Sequence, residues 1–224
     1  MAQQLDITVR GGAIERAQAE RATVTVGSRW AADDPSVALE VVARAHARVV
    51  GDARRMAESG AVASWHADRA RIGHHEEWVG EGQPQRIVYT ASASATVEFA
   101  DPDALGAWIG ELGTERVHEI GHIRWSLDED TERELASRAR AGAVEDARRR
   151  AADYARAAGL GEPAIAELRE PGTSTQARPA AKERMVLAAG AADAAPEIEL
   201  EAGIIEVRAA IEARFVAEAM HPGE

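Results

Sequence analysis

The chain has 224 residues, enough for one large domain or two small ones and enough to bury a real core. It contains no cysteine, which excludes disulfides, thiolate metal sites and cysteine nucleophiles. Its formal charge of −12, with a pI near 5.1, argues against a general nucleic-acid binder, which needs a basic footprint.

The first twelve residues, MAQQLDITVRGG, show no basic n-region, no apolar core and no cleavage site. No uninterrupted apolar run is long enough to span a bilayer, so membrane insertion is not expected. As given, the chain reads as cytoplasmic, unless a leader was removed. Lys182 is its only lysine, so arginine carries nearly all the positive charge. This reads as coding bias rather than as an arginine code.

Ile7 and Val9 alternate with polar residues up to Gly11-Gly12, which reads as a short strand with a glycine stop. Ala22, Val24 and Val26 alternate again, giving a second strand through Trp30. Asp34 then caps a helix with Pro35 at its first position, and Ala38, Val42, Ala45, Val49 and Met56 keep helical spacing to Gly60. Two long strands are expected over 65–79 and 86–99. In the second, Ile87, Tyr89, Ala91, Ala93, Ala95, Val97 and Phe99 share one face. Asp101-Pro102 starts a short helix stopped by Gly113, and 117–127 reads as one more strand.

Thr131 and Glu134 have capping-box spacing and open a long helix that runs to Gly159. Its small-residue face is read as Leu135, Ala139, Ala143, Ala147, Ala151, Tyr154 and Ala158. A short strand follows over 164–168. Residues 171–196 are rich in alanine, proline, glycine and threonine without a period, which reads as a mobile loop inside one domain of residues 1–219. Ile205, Val207, Ala209, Ile211, Ala213 and Phe215 alternate as a final strand, before a tail at 220–224. The expected class is α+β: long antiparallel-compatible strands packed with two long helices and one short one.

Five pieces of this pattern carry a family resemblance over about residues 7–215. They are Ile7-Thr8-Val9-Arg10-Gly11-Gly12, then Ala22 to Gly27, and then Tyr89-Thr90-Ala91 leading to Val97-Glu98-Phe99 and Asp101-Pro102-Asp103. The fourth is the helix from Ala139 to its closing Ala157-Ala158-Gly159-Leu160. The last is Pro196-Glu197-Ile198 followed by Ala202 to Val207. In this order and spacing the chain resembles the SIMPL-domain family, the YggE-like bacterial proteins of unknown function. It departs from the family where Ala19-Glu20 stand in place of the usual Pro-Asp. The resemblance supplies no catalytic or cofactor-binding residues. Some members are exported, one forms a large hollow assembly, and others are associated with oxidative-stress tolerance. It therefore implies a non-enzymatic protein without a cofactor. Such a protein assembles as a homo-oligomer or binds an unidentified protein partner, with a role in stress tolerance.

A rival motif is His118-Glu119-Ile120-Gly121-His122, which fits H-E-x-x-H. On a helix the two histidines would share one face and could bind zinc, with Glu119 as general base. Asp128, ten residues after His118, stands where some zinc proteases place a third ligand. Against this, Ile123, Trp125 and Leu127 alternate as in a strand, Gly121 weakens a helix, and Trp125 occupies the position that needs a turn glycine. On a strand, His118 and His122 would lie ~13 Å apart, too far for one ion. The zinc-hydrolase reading is therefore the alternative, and the primary reading names no catalytic or metal residue. His74-His75-Glu76-Glu77 read as a solvated hairpin tip, since adjacent strand residues point to opposite faces. Trp30 and Trp78, near strand ends, read as core or as a subunit contact. A small-molecule binding module using a cleft beside the long helix is the third reading.

Overall fold

The computed structural model describes residues 4–78, 80, 85–178 and 200–219. Among these it is α+β, with three helices and nine strands whose pairings are all antiparallel. The chain divides into two compact units, each drawn from separated stretches of sequence.

The first unit takes residues 1–18, 127–179 and 203–224. It contains strand β1 (Gln4–Gln18), strand β8 (Ala164–Arg178), strand β9 (Ile204–Glu218) and helix α3 (Glu129–Ala157). The sheet order is β1-β9-β8, and β1 pairs with β9 from Gln4↔Glu218 to Gln18↔Ile204 without a register shift. Ile7 and Val9 of β1 and Ile211, Ala213 and Phe215 of β9 are buried against the alanine stripe of α3. That stripe advances strictly by four residues, through Leu135, Ala139, Ala143, Ala147, Ala151 and Ala155. The step of four takes the seam to Ala155, so Tyr154, expected on this face, is 62% exposed.

The glycine pair does not end β1. A Cβ on Gly11 would lie 2.0 Å from the Ala143 carbonyl oxygen and 2.8 Å from Ala147 Cβ, so the glycine lets the helix lie directly on the strand. A Cβ on Gly142 would meet Ala13 Cβ at 2.9 Å, the same close approach seen from the helix side. Asp146 fastens this contact. Its Oδ2 accepts from the Gly12 amide at 3.2 Å and from Arg150 Nε at 2.8 Å, and Oδ1 is bound by Arg149. The arginine run thus serves in part to hold this carboxylate. Helix α3 starts one turn earlier than the capping box implies, because the Asp128 side chain accepts from the Asp130 amide at 3.1 Å. Gly159, at φ +70°, closes its C-terminus.

The second unit takes residues 19–126 and 180–202. It holds strand β2 (Arg21–Ala32), helix α1 (Pro35–Glu58), strands β3 (Val62–Ala67), β4 (Arg71–Glu77) and β5 (Arg86–Phe99), helix α2 (Pro102–Leu112) and short strands β6 (His118–Ile120) and β7 (Arg124–Ser126). The sheet runs β3-β5-β2-β6, with β4 also beside β5 and β7 also beside β2. Ala22, Val24 and Val26 of β2 and Ala95, Val97 and Phe99 of β5 are buried with Val49 and Ala53 of α1 and with Leu105 and Leu112 of α2. Asp34 caps α1 as expected, accepting from the Ser36 amide at 2.7 Å.

Four further expectations are corrected. The single strand expected over 65–79 is two strands, β3 and β4, that pair with successive parts of β5. The strand expected over 117–127 is likewise divided into β6 and β7. Ile87 is exposed while Val88 is buried, so the buried phase that runs from Ala91 to Phe99 does not continue to this end of β5, which lies beyond the last residue of β2. In the first unit, β8 continues through Pro171 to Arg178, where the composition suggested a loop. The rest of that loop, residues 179–196, lies outside the described residues.

Candidate functional site

The second unit contains a chain of polar side chains within its packing. Along β2 the inward phase reads Ala22, Val24, Val26 and then Ser28, a hydroxyl where the pattern asks for an apolar group. Ser28 pairs in register with His118 of β6, so both side chains fall on the inner face. Ser28 Oγ lies 3.2 Å from His118 Nδ1. On the other side of the ring, His118 Nε2 lies 3.5 Å from Glu115 Oε2. Glu115 is bound through its other oxygen by Arg48 of α1. One turn further along α1, Asp52 sits on the buried face in line with Val42, Ala45 and Val49. Arg55 Nη2 donates to it at 2.5 Å, Trp108 Nε1 of α2 donates at 3.3 Å, and Arg48 Nε lies at 4.0 Å.

The His118 side chain is 0% exposed. Burial holds its pKa below the usual histidine value, the Arg48 charge acts in the same direction, and Asp52 opposes both. The imidazole is therefore neutral at pH 7, and Nε2 makes no hydrogen bond. The order serine, histidine, glutamate has the form of a nucleophile–base–acid relay. However, Ser28 is only 1% exposed, so no substrate carbonyl can approach its oxygen. The geometry instead joins β2 to β6 through the Ser28–His118 pair and α1 to α2 through the Asp52–Trp108 hydrogen bond, with Glu115 and Arg48 lying between the two.

The zinc motif is taken apart by the same fold. His118 points inward on β6, whereas Glu119 is exposed and pairs with Gly27. Gly121 leaves the strand. Its amide donates to the Thr25 carbonyl at 2.8 Å, and a Cβ there would lie 2.8 Å from that same oxygen. His122 follows, exposed, in the connection to β7. The segment is not helical, so the shared face that H-E-x-x-H requires does not form, and Asp128 is instead the N-cap of α3. Among the described residues no group of three or more histidines, aspartates or glutamates could hold a metal ion. His74, His75, Glu76 and Glu77 lie on β4, all exposed, with the His74 ring centred 5.9 Å from that of Tyr89 and tilted by 48° to it.

A second feature is apolar. The paired ends of β4 and β5 extend beyond the last residue of β2 with Ile87 exposed there, Trp78 is exposed directly after β4, and Ile72 is exposed on β4 opposite Ala91. Trp78 is 72% exposed. Trp30 is also exposed, and register places it and Ile72 on either side of Ala91 in one cross-strand row.

The family model described as SIMPL, protein of unknown function (DUF541), matches residues 7–215, nearly the whole chain. The chain belongs to the SIMPL family. No curated protein matches it. The family description assigns no activity. Among the described residues of this SIMPL protein, no helix is long and apolar enough to cross a membrane. Ser28, Arg48, Asp52, Trp108 and Glu115 were missed by motif reasoning. Their signal was a polar residue in an apolar phase, at Ser28 on β2 and Asp52 on α1.

Proposed function

We propose that this SIMPL protein acts without catalysis, by assembling into a homo-oligomer through the arm formed by β4 and β5. The observation that carries this reading is the grouping of Trp30, Ile72, Trp78 and Ile87 as exposed large apolar side chains in one region of the second unit. Exposed aromatic side chains of this size are costly in water and are typical anchors of protein interfaces. The inner polar network supports a fixed scaffold rather than a reaction, since its one hydroxyl nucleophile is closed to substrate. A role in stress tolerance is the cellular context that the family resemblance offers.

Solution mass tests the proposal. Size-exclusion chromatography with light scattering on the full chain at micromolar concentration is expected to give a multiple of 23.9 kDa. Trp78→Ala is expected to move the population toward the monomer without lowering its melting temperature. A wild-type protein that is strictly monomeric would refute the proposal.

A further inference from the structure

The solvent faces of the two sheets treat their charges differently. On the three-stranded sheet, arginines sit on carboxylates: Arg10 on Glu212 at 3.5 Å, Arg16 on Glu206 at 3.0 Å, Arg169 on Glu167 at 2.7 Å and Arg214 on Asp6 at 3.1 Å. That face is internally neutralised. On the outer face of the second unit's sheet, hydroxyls hold the carboxylates, and His66 Nε2 also lies 3.4 Å from Asp68 Oδ1. Ser64 Oγ donates to Glu98 at 2.7 Å, and Ser94 Oγ donates to Asp68 at 2.6 Å. Arg124 is exposed there and, among the described residues, has no ion-pair partner.

Register sets these groups side by side. Thr23 of β2 pairs with Arg124 of β7 on one side and with Glu98 of β5 on the other, and Glu98 pairs in turn with Ser64 of β3. One cross-strand row therefore reads Arg124, Thr23, Glu98, Ser64. The next row on this face contains Thr25 and Thr96, whose hydroxyls lie 3.0 Å apart, and then His66. Short hydroxyl side chains make a low floor between the longer Arg124, Glu98 and His66, leaving a hollow of about 420 Å³. That volume falls in the range of small-molecule sites. Arg124 lines this hollow, with its guanidinium free to meet an anion.

We propose that this hollow binds a small polyhydroxylated carboxylate of the hexuronate class. The planar guanidinium of Arg124 matches a carboxylate with two parallel N–H donors. Two groups away, Glu98 accepts from ring hydroxyls, and Thr23 and Thr96 exchange hydrogen bonds with others. A neutral sugar lacks the first contact and a simple carboxylate lacks the second. This assignment is independent of the assembly reading, since it uses neither Trp78 nor the β4–β5 arm.

Titration calorimetry on the full chain tests it, with galacturonate, galactose and acetate as probes. Galacturonate is expected to bind with a dissociation constant of about 1 mM, weak because the hollow is open to water. Galactose and acetate are expected to bind at least about tenfold more weakly, and Arg124→Ala should weaken galacturonate by about tenfold or more. Among the described residues the Arg124 side chain has no ion-pair or hydrogen-bond partner, so this variant should keep the wild-type melting temperature, and any loss is then a loss of binding. Glu98→Gln should weaken galacturonate and leave acetate unchanged. The proposal is overturned if acetate binds as tightly as galacturonate, which is an adventitious ion only. Galactose binding equally well, Arg124→Ala binding normally, or no heat with any probe would overturn it as well.

Discussion

Gly11 and Gly12 are neighbours in one strand, and the structure predicts opposite outcomes for the same substitution at each. A methyl group at Gly11 would stand 2.0 Å from the Ala143 carbonyl oxygen, roughly 1.4 Å inside ordinary contact. The obstacle is helix backbone, which no rotamer change can move, and Ala147 N and Cβ crowd the same point at 2.7 Å and 2.8 Å. Helix α3 must retreat from β1, loosening the alanine seam and stretching the Gly12–Asp146 hydrogen bond. Overpacking of this kind costs about 1–3 kcal/mol, and the lost seam contacts raise it further. Alanine recovers only about 0.5–1 kcal/mol by restricting the unfolded chain. Gly11→Ala is therefore expected to destabilise the protein by about 2–3 kcal/mol net. At Gly12 the nearest atom to an added Cβ is the Ala209 carbonyl oxygen at 3.7 Å, an ordinary contact. Gly12→Ala should be neutral or slightly stabilising, by up to about 0.5 kcal/mol. Urea unfolding followed by far-ultraviolet circular dichroism, with equal slopes for the three proteins, reads both values. Equal midpoints for the two variants would refute the placement of α3 on Gly11.

Two pH effects follow from buried charges. The Gly12 amide, followed by Arg150 and Arg149, holds the Asp146 carboxyl below its usual pKa of 3.8. A depressed carboxylate contributes stability that is present above the unfolded pKa and is lost as pH falls through the folded one. Asp146→Ala should therefore cost about 1–3 kcal/mol at pH 7 and much less near pH 2, measured by thermal melts across that range. A constant cost at all pH values would contradict the Gly12 contact. His118 is also depressed, from 6.5, but here the stabilised form is neutral. Its contribution is complete above about pH 6.5 and is lost as pH falls from there toward the lower folded pKa. Wild-type protein should lose urea stability as pH falls below about 6.5, and His118→Gln should flatten that segment of the profile. An unchanged profile in the variant would place the titration elsewhere.

The fold class, helix caps and most strand phases were legible because they depend on neighbours a few residues away. Asp34-Pro35 and Gly159 mark helix ends by local backbone geometry. Alternation along Ala22–Val26 and Ile205–Phe215 reports which face is buried before any partner is known. SIMPL membership was legible for the same reason, as an ordered series of local patterns. Strand lengths were less so. Gly11-Gly12 has the composition of a turn, yet β1 runs through it, because the missing side chains answer a helix more than a hundred residues away. Pro171 looked like the start of a loop but lies inside β8, at a register shift in a strand that among the described residues pairs with β9 only, and so a missing amide is tolerated there.

The candidate sites became visible only in the tertiary structure. His118 in the sequence belongs to a zinc motif, and only the β2–β6 register turns it inward onto Ser28. Asp52 is an acid on an apolar helix face until α2 brings the Trp108 indole to it. The row of Arg124, Thr23, Glu98 and Ser64 gathers four strands whose spacing in sequence carries no signal at all. Periodicity in a sequence states which way a side chain points, whereas chemistry requires knowing what it points at. That second fact depends on long-range pairing and packing, which local pattern does not encode.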